Sequence, residues 1–145
     1  VKAYRFRLAT VARIRALEER VAADRFKVTQ RDLRLAQEAA SAAARDLRSL
    51  AGPEGVTTIS EVRWIGEQAE RLAASMDLRR EKVAAAAVAC TDARRQWDIA
   101  LRRSEVLQRL DDQGMARWRA ETMRHEAAEL DDLSISRHHR VGAGS

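Results

Sequence analysis

Apolar positions recur with the period of a coiled coil along almost the whole chain. Ile14, Val21, Val28 and Leu35 are spaced by seven, and Leu17 supplies a companion position. A second phase then takes over, with Phe26, Leu33, Ala40 and Leu47 interleaved with Ala36, Ala43 and Leu50. A change of stripe over residues 26–35 predicts a discontinuity in the seam at that point. The pattern as a whole predicts one helix from about Arg7 to Leu50.

The stretch AGPEGVTT, residues 51–58, holds the chain's one proline and two glycines, and it breaks the pattern. The chain turns there. Thr58 or Ser60 is placed to cap a second helix, with Glu61 or Arg63 in its first turn. Beyond it Val62, Ala69, Met76, Val83, Cys90, Trp97 and Ser104 repeat every seven residues. Ile65, Leu72, Ala86, Ala93, Ala100 and Leu107 fill the companion position, with Arg79 the exception. So long a run in one phase predicts a coiled-coil helix from about residue 59 to 136, and then a flexible tail over 137–145. No alternating pattern of the strand type competes with it.

These elements predict an all-α fold, a single antiparallel coiled-coil hairpin of two long helices. A tight turn sets Ala36–Ala44 against Trp64, Ile65 and Leu72. It sets Leu17, Val21 and Phe26 against the alanine-rich stretch from Val83 to Ala93, so that large side chains meet small ones. It also uses up helix 1 opposite about residue 101. Helix 2 then overhangs at the end where the termini lie, by on the order of 30 residues or 45 Å. Val106, Leu107, Leu110, Met115, Trp118, Met123, Leu130 and Leu133 lie on that overhang and call for a partner protein or a second copy of the chain. The competing reading is that helix 1 or the tail folds back over Met115 and Trp118.

Composition agrees with long helices: 4% aromatic and 34% charged residues leave little for a compact mixed core. The net charge of +5 admits nucleic acid, an anionic membrane or an acidic protein as partner. The basic residues gather at the start, where Lys2, Arg5, Arg7, Arg13 and Arg15 precede the first acid, Glu18. Elsewhere the signs mix, with eight acids and six arginines in residues 105–140, so no basic stripe forms and nucleic acid is not expected. A run of ~18 apolar residues, the length of a membrane span, is absent, so no membrane insertion is expected and the reading is cytoplasmic.

Catalytic and metal chemistry find no support in the pattern. Adjacent His138 and His139 lack the spacing that turns two ligands to one helix face, and Cys90 falls on the seam as a buried thiol. The acid pairs Asp111-Asp112 and Asp131-Asp132 sit on a rod that offers no concave, water-restricted site. No phosphate loop or nucleophile motif occurs. No enzyme activity, cofactor or metal is expected.

Phe6-Arg7-Leu8 followed by Val11, Arg13, Arg15 and Glu18-Glu19, the segment Arg63-Trp64-Ile65, and Glu129-Leu130-Asp131 with Leu133 and Arg137 together resemble the FliJ family. These are the small coiled-coil proteins of the flagellar type III export apparatus. The resemblance implies a non-enzymatic stalk whose helix ends enter a hexameric export ATPase ring and promote its assembly. It implies further contacts with the export gate membrane protein and with export chaperones, at the membrane-bound apparatus. On this resemblance Phe6, Leu8, Val11, Arg13, Arg15, Trp118, Leu130, Asp131, Leu133 and Arg137 are the expected ATPase-binding residues. Trp64, Gln68 and Leu72 are the expected gate-binding ones. An injectisome stalk protein and a basic coiled coil that binds nucleic acid are the alternatives, and self-association through the overhang is compatible with each.

Overall fold

A computed structural model describes residues 2–50, 55 and 58–142, with side chains through residue 137. Two helices account for nearly all of it: α1, Ala9–Leu50, and α2, Ile59–Gly142. They pack antiparallel as an all-α hairpin in which α2, at 84 residues, is twice the length of α1 at 42. Most of the expected turn lies outside the described residues. Within it Gly55 has φ of 99°, a left-handed conformation that glycine adopts without a Cβ clash. α2 starts with a capping box. The Thr58 hydroxyl accepts from the Glu61 N–H at 3.3 Å, and the Glu61 carboxylate accepts from the Thr58 N–H at 3.0 Å. The sequence expectation of a tail from residue 137 is corrected, since helical backbone continues to Gly142.

The chain divides into two compact units, residues 18–100 and residues 1–17 together with 101–145. In the 18–100 unit one seam runs without interruption. On α1 it comprises Glu19, Ala22, Phe26, Thr29, Leu33, Ala36, Ala40, Ala43, Leu47 and Leu50, all buried or half-buried. On α2 it comprises the expected residues from Ile65 to Ala100, and among the described residues Phe26, Ala43 and Ala93 are the buried apolar ones. Phe26 stacks on Trp97 with ring centroids 5.6 Å apart, and the Trp97 indole N–H donates to the Glu19 carboxylate at 2.7 Å. Arg79, the polar intruder in the heptads, lays its stem along the seam and donates from Nη1 to the Ala39 carbonyl at 3.2 Å.

Two expectations fail here. The predicted discontinuity does not exist, because the Phe26 phase holds from residue 19 onward while Val21, Val28 and Leu35 stay exposed. The companion positions explain the choice. Beside Val21, Val28 and Leu35 they are Asp24, Arg31 and Glu38, whereas beside Phe26 and Leu33 they are Ala22, Thr29, Ala36 and Ala43. Burying the first set against another helix would desolvate charge; burying the second lets the backbones approach closely.

The tight-turn register also fails. Ala39 lies at Arg79 and Phe26 at Trp97, so α2 is displaced by roughly two and a half to four helical turns from the expected pairing. Large therefore meets large at Phe26 and Trp97, with alanines above and below providing the room. The displacement carries the first turns of α2 past the end of α1, and Ile59, Val62 and Trp64 are exposed there.

In the unit that holds both termini, residues 2–6 are not helical, and α1 opens with Ala12 N–H donating to the Leu8 carbonyl at 2.8 Å. Within this unit the half-buried positions include Ala12 and Arg15 on α1 and Leu101, Ser104, Leu107, Asp111, Met115 and Trp118 on α2. Ile14 and Leu17, expected in the seam, are half or more exposed.

Candidate interaction surfaces of the termini unit

The N-terminal segment is the feature that sequence reasoning missed. Residues 2–6 lie along α2 as a strap. The Tyr4 hydroxyl donates to the Asp111 carboxylate at 2.9 Å, and it also lies 3.1 Å from the Asp111 backbone carbonyl. The Tyr4 ring tilts against Trp118 at 6.3 Å between centroids, and the Trp118 indole N–H donates to the Lys2 carbonyl at 2.9 Å. Gly114 makes this possible, since a Cβ at that position would collide with the Tyr4 hydroxyl. A glycine inside an 84-residue helix costs on the order of 1 kcal/mol against alanine, and at position 114 its missing Cβ leaves the room that Tyr4 occupies. That glycine was the signal available in the sequence.

Partial burial against α2, then the hydrogen bond to Asp111 and the charges of Asp111 and Asp112, holds the Tyr4 phenol above its ordinary value of 10.0. Asp112 itself accepts from the Gln108 side-chain amide at 3.1 Å. This acid pair therefore serves the strap and the helix surface.

The strap corrects the expectation that Met115 and Trp118 lack intramolecular cover. Both are half-buried, Trp118 beneath Lys2 and Tyr4. Phe6 and Leu8 line a shallow groove with Tyr4, Leu110 and Gly114, rimmed by Arg5, Arg7 and Arg117. Val11 and Arg13 are exposed on the first turns of α1, and Arg15 is half-buried in the seam.

Beyond Thr122 the character of α2 changes. Every described side chain from Met123 to Arg137 is exposed, along on the order of 20 Å of helix. Met123, Leu130, Leu133 and Arg137 recur at spacings of three, four and seven and share one side of it, while Asp131 projects from another. Leu130 and Leu133 are 67% and 56% exposed, which leaves this apolar stripe in water. The expected residues thus fall into two groups: a basic and apolar groove made with the strap, and a bare helix end.

The residues expected to contact the export gate lie in the 18–100 unit. Trp64 is 57% exposed, while Gln68 and Leu72, on the same side of α2, are half-buried at the edge of the seam. Trp64 is the member that a partner reaches without rearrangement.

Among the described residues no cluster of potential metal ligands occurs, and no helix is long and apolar enough to cross a membrane. A two-helix hairpin with an unpaired helix end defines the class as a coiled-coil protein. The family model described as Flagellar FliJ protein matches residues 4–143, and the chain belongs to that family. It is accordingly a component of the flagellar type III protein export apparatus. Comparison with curated proteins and with solved structures gives no match.

Proposed function

We propose that the chain is a non-enzymatic stalk that docks its termini end into the hexameric export ATPase ring and promotes ring assembly and activity. The observation that carries this reading is the bare α2 end, where Met123, Leu130 and Leu133 form an apolar stripe without cover over an extended length of helix. Such a stripe gains free energy when it enters an apolar socket. The arginines around the N-terminal groove, Arg5, Arg7 and Arg117, supply the charge that orients it against acidic loops of a ring. Arg13 and Asp131 add polar contacts at the rim. The stalk works in the cytoplasm, peripheral to the membrane-bound apparatus, and needs no cofactor.

In the same reading Trp64, with Gln68 and Leu72 at the seam edge, is the contact for the export gate protein, and export chaperones are escorted by the hairpin. The test is ATPase activity and hexamer formation of the cognate export ATPase with the full chain and with a chain ending at residue 122. Stimulation by the first and none by the second, with equal helicity per residue, is the expected result. Equal stimulation by both would move the interface off the α2 end.

A further inference from the structure

α1 carries two apolar stripes, and its pairing with α2 uses one. In the 18–100 unit the unused stripe is Val21, Val28 and Leu35, which are 69%, 46% and 52% exposed. Single exposed apolar residues are ordinary on a protein surface. Three at heptad spacing make a line, and the charges between them are ordered too. Asp24-Arg25 lies between Val21 and Val28, Arg31-Asp32 lies between Val28 and Leu35, and all four are exposed.

The pattern reverses about Val28. Read outward in either direction, it runs from an apolar centre to an arginine, then an aspartate, then an apolar residue, the same order on both sides. Asp24 and Arg31 are seven apart and occupy one flank of the stripe; Arg25 and Asp32 occupy the other. Two antiparallel helices related by a two-fold axis perpendicular to their length present like flanks to each other. With the axis at Val28, each Val28 meets the other and Val21 meets Leu35 of the second copy. Asp24 meets Arg31, and Arg25 meets Asp32, each pair formed twice. A parallel alignment would instead oppose unlike flanks, setting Asp24 near Arg25 and Arg31 near Asp32 of the second copy, contacts that a combined exchange of Asp24 and Arg31 breaks rather than restores.

We propose that this face of α1 binds a second copy of the chain as an antiparallel, two-fold symmetric pair centred on Val28. The remaining basic residues stand aside. Lys27 and Arg34 are displaced by about 100° from their apolar neighbours and are engaged locally. Lys27 pairs with Asp24 at 3.6 Å and Arg34 with Glu38 at 3.8 Å. Three apolar layers make less than a standard interface, so the pair is weak and reversible, with dissociation on the order of 10–100 µM. This face is independent of the α2 end, and the pairing does not rest on the ATPase reading.

A residue on a two-fold axis lies beside its own copy, which makes the proposal open to a direct test. The full chain carrying Cys90→Ala and Val28→Cys is oxidised and compared with one carrying Cys90→Ala and Arg95→Cys, another exposed position. The Val28→Cys chain forms disulfide dimers at least about tenfold faster. Asp24→Arg or Arg31→Asp alone slows that cross-linking, and the two together restore it. Cross-linking no faster than the control, or no restoration by the double exchange, would overturn the pairing. Dimers that form through the α2 end instead would give both of those results.

Discussion

Single side chains decide how the two ends of this molecule are built. Tyr4 is the chain's one tyrosine, so its titration is read without interference from any other. Its phenol is raised in the folded state by partial burial and by Asp111, so the strap contact is intact below the ordinary value of 10.0 and is lost as pH rises through the higher folded value. Ultraviolet titration is expected to give a midpoint above 10.0 that returns toward it in Asp111→Asn. A midpoint at or below the ordinary value in the parent chain would contradict the strap. At the other end, the capping box predicts that Thr58→Ala lowers stability by about 1 kcal/mol in urea unfolding, while Ser60→Ala changes little. Trp97→Ala removes the stack on Phe26 and the bond to Glu19 and costs about 3 kcal/mol, measured the same way.

At the scale of the helices, the choice between the stripes of α1 has a plain consequence. Ala43→Asp, on the seam, is expected to abolish cooperative thermal unfolding, because the charge would be buried against α2. Val21→Asp, on the outer stripe, leaves the circular dichroism melt within a few degrees of the parent. Equal damage from both would mean that the outer stripe also packs within the chain. The seam of α2 was legible in the sequence because its heptads stay in one phase, and the one polar member, Arg79, reaches a carbonyl rather than breaking the pattern. The seam of α1 was not, because hydrophobicity alone ranks valine and leucine above alanine. Two stripes competed, and the decision lay with the partner helix and with Asp24, Arg31 and Glu38 at the companion positions. The register failed for a related reason: heptads fix which side of a helix is buried but not how far it slides along its partner. The strap left a trace only in Gly114 and Tyr4, two residues more than a hundred positions apart in the chain.

For the molecule as a whole, family membership and the hairpin agree with the heptads and with the FliJ-like segments of the sequence, while the interaction residues separate into surfaces of different kinds. Trp118 is covered by the strap, Phe6 and Leu8 line a groove beside it, and Met123, Leu130 and Leu133 are bare. The bare helix end is the strongest support for docking into a ring, since burial of such a stripe by a socket needs no rearrangement of the chain. The measurement that tests it most directly is site-specific photo-cross-linking from position 130 in the presence of the assembled export ATPase, with position 95 as the control. Cross-links to ATPase subunits from position 130 and none from position 95 are the expected result. Cross-links from neither position, under conditions where the ATPase is stimulated, would contradict docking through the α2 end.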